Sequence, residues 1–289
     1  MRISIAIAIL CASSLAHADQ LDDVLARNLT ARGGADKLRA IKSLRATGKI
    51  TLGGGNFSLT AEFGEVIDRP NRIRTETTIQ GLTQISASDG SDGWTVSPFN
   101  GRRDAERASV DDKRQIEQTA ELDGPLVDWR TKGHRIEYLG IEDVDGTPAI
   151  KLRVTRKDGD LQYVFLDPDT ALEIRITTVR KVRGTENIEE TDLGEYQQVA
   201  GVWLPFSLES GPQGQRRESR IRLERIEPNV AIDPAWFRVP TSLATRAIVA
   251  GPADKTGVAP VAPPSATRPA VIDGGTISGL GARNIGSAA

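Results

Sequence analysis

The sequence predicts a mainly β protein of the α+β kind: a curled antiparallel sheet forming an incomplete β-barrel, covered by a few α-helices. Three observations predict it. Apolar and polar residues alternate in about a dozen short segments, as half-buried strands require. Gly, Asn, Asp and Pro punctuate those segments at hairpin spacing, and helical spacing is confined to a few short stretches. A long succession of one-sided strands needs a cover for its apolar face, and an open sheet of that size normally curls.

The elements follow in order. Arg2, the apolar run Ile3 to Leu10 and Ala16-His17-Ala18 before Asp19 have the layout of a cleavable secretory signal peptide over residues 1–18. The apolar run is shorter than the roughly 20 residues a membrane span needs. Leu21, Val24, Leu25 and Leu29 then recur at helical spacing, and Gly33-Gly34 supplies a stop. A shorter helix follows in Asp36 to Lys42. Strands are expected at Leu44 to Leu52, Phe57 to Ile67, Arg72 to Ile79, Leu82 to Ser88 and Gly93 to Val96. Asp104 to Leu122 is charged and helix-compatible, with Ser109 and Asp112 spaced as in a capping box, and Leu126 to Trp129 offers a further helical turn.

A second strand series is expected at Arg135 to Glu142, Ala149 to Arg156, Leu161 to Leu166, Leu172 to Val182, Glu186 to Gln197, Val202 to Ser210 and Glu218 to Glu227. The Asp145-Gly146 and Asp158-Gly159 pairs favour tight hairpins between them. Five of the 15 prolines fall in Gly251 to Ala270, and no aromatic residue follows Phe237. A segment of that composition cannot bury a core. The expected organisation is therefore a signal peptide at 1–18, one domain at 19–243 and a Pro/Ala/Gly-rich disordered tail or linker at 244–289.

Composition excludes several kinds of chemistry. Loss of Arg2 with the signal leaves 36 basic against 39 acidic residues, a balance with no sign of a nucleic-acid-binding surface. The only cysteine, Cys11, lies in the signal, so the mature chain has no thiol nucleophile, disulfide or thiolate metal site. His134 is the one histidine left, read as a surface or strand-edge residue, and no Gly-x-Ser-x-Gly elbow is present to build a triad on it. Asp89-Gly90-Ser91-Asp92-Gly93 has carboxylates at alternate positions but no bidentate Glu at calcium-loop spacing, and reads as a hairpin turn. Asp111-Asp112 and Glu121/Asp123 read as parts of a solvated face. Gly53-Gly54-Gly55 links two strands with no helix to hold a phosphate. No catalytic residue, metal site or cofactor is expected.

Several stretches together resemble the LolA/LolB-like superfamily of outer-membrane lipoprotein-sorting proteins and their relatives. They are Gly33-Gly34 with Leu38, Ile41 and Gly48; Asp89-Gly90 with Gly93-Trp94; Gly146; Leu166-Asp167-Pro168-Asp169-Thr170; Tyr196 with Gly201-Val202-Trp203-Leu204-Pro205-Phe206; and Asp233-Pro234 with Phe237 and Pro240. The resemblance covers about residues 20–241. It implies an incomplete barrel capped by helices, with an apolar cavity that carries acyl chains or lipidated proteins across the periplasm. No arginine here matches the lid-closing arginine of the carriers.

The functional expectation is a soluble periplasmic lipid or lipoprotein carrier or binding protein and not an enzyme. Its partners would be a lipid, or the acyl chain of a lipoprotein, and an envelope protein, with no nucleic acid and no transmembrane segment in the mature chain. Phe57, Phe63, Trp94, Ile174, Ile176, Trp203 and Phe206 are the candidate cavity-lining residues. The alternative is a non-catalytic interaction or accessory domain of an exported protein, its sheet packed on itself.

Overall fold

The computed structural model describes residues 19–53, 57–182 and 184–240. The expected signal peptide, Gly54-Gly55 and the expected tail lie outside the described residues.

The first strand series is a meander of β1 (Ser43–Leu52), β2 (Leu59–Asp68), β3 (Arg72–Ile79), β4 (Leu82–Ser88), β5 (Gly93–Ser97) and β6 (Arg102–Arg107). A second contains β7 (Arg135–Val144), β8 (Thr147–Thr155), β9 (Leu161–Leu166), β10 (Glu173–Val182) and β11 (Thr185–Gly194). A small hairpin, β12 (Gln197–Val199) and β13 (Val202–Leu204), precedes β14 (Ser207–Pro212) and β15 (Ser219–Pro228). β15 returns to pair with β1, and this joins the two series into one sheet of 13 strands. The order is β6-β5-β4-β3-β2-β1-β15-β14-β11-β10-β9-β8-β7. Neighbours run antiparallel, and the sheet does not close, so β6 and β7 are its edges.

The helices are α1 (residues 19–31), α2 (Ala35–Ala40) and α3 (Val110–Thr119). α3 starts where the capping pattern places it: the Ser109 hydroxyl accepts from the Asp112 amide at 3.1 Å and donates to the Asp112 carboxylate at 2.6 Å. The charged stretch before it departs from the expected helix. Arg102–Arg107 pairs with β5 as an edge strand, where charged side chains discourage further strand addition. Residues 122–133 form turns, with no helix at Leu126 to Trp129.

Alternation sorts the side chains onto two faces. The inner face carries the helices. There Ile136, Leu152, Val154, Val164 and Leu166 pack against Leu21 and Val24 of α1 and against Leu126. Nearer the centre, Leu44 meets Leu38 and Ile41 of the α2 region together with Val127, Val202 and Leu204. Unlike a simple one-sided sheet, the outer face of β2 to β5 also carries a core. After β15 the chain crosses that face, and Phe237 packs on Val66 while its carbonyl accepts from the Trp94 indole at 2.7 Å.

Close approach explains two of the glycines in the resemblance. Gly33 follows α1 with φ of 116°, and a Cβ there would lie 2.3 Å from the Gly201 carbonyl oxygen. At Gly48, where the β1–β15 register shifts, a Cβ would lie 2.1 Å from the Arg222 carbonyl oxygen. Gly48→Ala is therefore expected to cost about 1–3 kcal/mol, the usual range for overpacking, read as a lower urea midpoint at unchanged m-value.

Other residues of the resemblance act as ties. Asp167 accepts from the Asp169 and Thr170 amides at 3.0 and 2.6 Å, closing the turn between β9 and β10. Arg27 and Asn28 of α1 donate to the Pro168 and Ala171 carbonyls of that turn at 2.6 and 2.8 Å. The Asp89 carboxylate likewise accepts from the Ser91 and Asp92 amides, making the β4–β5 connection a hydrogen-bonded turn.

Candidate functional site

The inner face is not packed uniformly. Under α1 and α2 it is filled by the two clusters already described. Under α3 it is open, because this helix buries none of its own side chains and rests on the sheet mainly through Ile116, against Ile67 and Ile73. The remaining space is a pocket of about 460 Å³. Phe63, Ile73 and Ile221 give its floor an apolar part. Thr75 and Thr77 of β3, Gln84 and Ser86 of β4, and Thr95 and Ser97 of β5 make the rest of the floor polar. Asp112, Gln115, Ile116 and Thr119 of α3 form the roof.

A second, smaller pocket of about 140 Å³ lies beside the first, between the sheet centre and the β13–β14 link. Its walls are almost wholly apolar: Leu44, Ala46 and Ile67 on one side, Leu204, Leu208, Leu223 and Ile226 on the other. Glu65 lines both pockets. Among the described residues its only hydrogen bond is a long one, accepted from the Thr75 hydroxyl at 3.3 Å. Among the described residues it has no ion-pair partner. Burial away from bulk water pushes its carboxyl up to about 7, and the Thr75 hydroxyl offsets only part of that effect.

Polar contacts with the β8–β9 turn hold the roof down. Arg114 of α3 reaches Asp160 at 3.4 Å. Gln118 donates to Asp160 at 2.7 Å and to Asp158 at 3.1 Å, and accepts from Arg180 at 3.3 Å. Asp160→Ala removes charge-assisted bonds worth about 1.5 kcal/mol, so amide exchange across residues 110–119 should accelerate by about tenfold while core strands keep their protection.

The segment after α3 is tied down more firmly. Burial works to raise the Glu121 carboxyl, but Lys132 at 2.8 Å and Arg156 at 2.9 Å outweigh it and hold the group below its ordinary value. Asp123 behaves alike: burial is outweighed by Arg69, whose guanidinium lies 2.5 Å away. Neither carboxylate belongs to a solvated face, contrary to the sequence reading. His134 is buried, not on the surface. Its Nδ1 accepts from the Lys157 amide at 3.2 Å, and desolvation and Arg156 keep the ring below its usual pKa. These groups neutralise one another and anchor the 120–134 connection to the end of the sheet. No group of three or more potential metal ligands occurs among the described residues.

The seven residues singled out from sequence are scattered. Phe63 lies on the floor of the larger pocket. Trp94 is fully buried on the outer face, beneath Phe237. Ile176 packs on the α1 cluster, and Ile174 is half-buried beside the irregularity between Glu173 and Arg175. Phe206 is buried between β13 and β14, Trp203 is 38% exposed and Phe57 is 56% exposed. Glu65 was missed, although it carried a signal: in Leu59-x-Ala61-x-Phe63-x-Glu65-x-Ile67 it falls in phase with the apolar face.

No protein-family model and no curated protein matches the sequence. Solved structures do. A domain described as an outer-membrane lipoprotein-sorting protein domain from Vibrio parahaemolyticus superposes with a TM-score of 0.51 at 14% identity, covering 74% of this chain and 94% of that one. A LolA superfamily protein from Nitrosomonas europaea gives 0.51 at 11% identity, covering 70% and 94%. The fold is LolA-like. A protein of the DUF1329 family from Desulfovibrio piger shares it, with a TM-score of 0.53 at 14% identity over 75% of this chain and 97% of that one. This chain has that fold with an open sheet and a helical cover, and no described helix is long and apolar enough to cross a membrane.

Proposed function

We propose that this protein is an exported, periplasmic carrier or binding protein for a lipid or a lipid-modified partner, with no chemistry of its own. The observation that supports this reading most directly is the unfilled space on the inner face under α3, continued by the apolar pocket behind Glu65. Together the two pockets fall within the roughly 300–1,000 Å³ typical of small-ligand sites. An apolar pocket left empty gains by taking up an acyl chain, since that removes apolar surface from water on both partners. α3, held by polar contacts and burying none of its side chains, is the element best suited to move aside for entry. Of the seven candidate lining residues, Phe63 is the one proposed to touch the chain.

The test uses purified protein spanning residues 19–289. Lipids extracted from protein isolated from membranes are identified by mass spectrometry, and binding of the neutral fluorophore N-phenyl-1-naphthylamine is titrated in parallel. Saturable binding is expected, weakened at least about tenfold by Phe63→Arg, because the long charged side chain would fill the floor and meet Glu65 on the same strand face, making the apolar part of the pocket polar. Absence of extracted lipid together with no fluorophore binding overturns the proposal.

One observation favours the second reading, an interaction domain. The edge strand β7 exposes Leu139 and Ile141, an apolar patch on a strand with a free edge. Pull-down with and without residues 244–289 separates the two: partner capture that ignores the fluorophore and survives Phe63→Arg favours the interaction role.

A further inference from the structure

We infer that Glu65 is the polar anchor of the pocket and that the ligand is an amphiphile with a protonated amine in its headgroup. This rests on the carrier reading above and narrows it to a ligand class. A carboxylate with no cation beside it among the described residues sits where an apolar pocket meets a larger one whose floor is rich in hydroxyls. An aliphatic chain behind Glu65 would meet Leu204, Leu208 and Leu223, while its head would face Thr75, Thr77 and Ser86. Those hydroxyls and Gln84 can accept or donate hydrogen bonds, but they bring no positive charge. The ligand is the natural source of the missing cation, since an ammonium against a half-buried carboxylate forms a charge-assisted bond. An anionic headgroup would place two like charges in one pocket.

Other ionisable groups around the site are few. β1, β3, β15 and the β13–β14 link present none to the pockets, and α3 presents only Asp112, whose carboxylate already accepts from Ser109. Carboxyl protonation at Glu65 should therefore govern amine binding. A decyl amine stays protonated well above neutrality, as lysine does at about 10.4, so its affinity relative to the alcohol should climb as pH rises from 5.5 to 8.5.

Displacement of N-phenyl-1-naphthylamine by decylamine, decanol and decanoate, each below its micellar concentration, tests the assignment. At pH 7.5 the amine should compete at least about tenfold better than the alcohol, with decanoate weakest. Glu65→Gln should bring the amine down to the alcohol while leaving the alcohol nearly unchanged. The inference is overturned if decanoate competes as well as the amine, if the amine preference survives Glu65→Gln, or if Asp112→Asn removes it instead. The wild-type pH series decides independently of any variant's folding: an amine-to-alcohol ratio that is flat with pH also overturns it. If the fluorophore does not bind and no lipid is extracted, the carrier reading fails; if the fluorophore binds and no headgroup is preferred, only the anchor role fails.

Discussion

Replacing Arg74 with alanine should lower the free energy of unfolding by about 3–5 kcal/mol, the cost of removing one partner from a buried ion pair. Arg74 and Glu76 are 6% and 1% exposed, and their closest approach is 2.6 Å. The guanidinium also donates to the Trp236 carbonyl at 3.0 Å and lies 5.5 Å from the centre of the Trp94 ring. Alanine deprives the buried Glu76 carboxylate of that guanidinium and loosens the segment carrying Phe237. Urea denaturation followed by tryptophan fluorescence reads both effects, because Trp94 and Trp236 flank the site. A loss below about 1 kcal/mol would show that the outer face is no packed layer. The paired change Arg74→Met with Glu76→Leu should cost far less, since it leaves no charge behind.

Glu65→Gln should stabilise the protein at alkaline pH by about 1–2 kcal/mol: each unit of pKa displacement corresponds to about 1.4 kcal/mol, and the half-buried carboxylate keeps part of its hydration. The direction follows from linkage. The Glu65 carboxyl rises from 4.5 to about 7 on folding. Below pH 4.5 it is neutral in both folded and unfolded chains, and glutamine should change little. Between 4.5 and 7 the unfolded chain has lost the proton and the folded one keeps it, so wild-type stability falls as pH rises. Above 7 both are ionised and the difference levels off. Stability curves for the two proteins that stay parallel from pH 4 to 8.5 would mean that the carboxyl is solvated in the folded state.

Much of the architecture was legible because a sheet's period of two is hard to disguise. Arg72–Ile79, Leu82–Ser88 and Leu161–Leu166 occupy the bounds that alternation assigns them. β6 escaped because its residues, Arg-Arg-Asp-Ala-Glu-Arg, offer no apolar face; at the rim of a sheet none is needed. The faces were harder to read than the strands. Period two says that Trp94 and Thr95 point opposite ways, but not which way is inward, and the tryptophan turns out to be the outward one because Phe237 returns from 143 residues away to cover it. Glu121, Asp123 and His134 looked surface-bound for a related reason: their burial depends on Arg69, Lys132 and Arg156, partners that local sequence does not announce. The motifs that carry the resemblance mark turns and close approaches, such as Asp167 and Gly48. They report on the fold and are nearly silent about cargo.

The path of the chain beyond β15 separates two jobs in space. By Phe237 it has been carried across to the far wall of the sheet, pinned by the Trp94 indole, whereas α3 roofs the opposite side. For the carrier proposed above, anything that grips the polypeptide downstream of this point would pull from behind the sheet, so the protein could be tethered without its doorway being blocked.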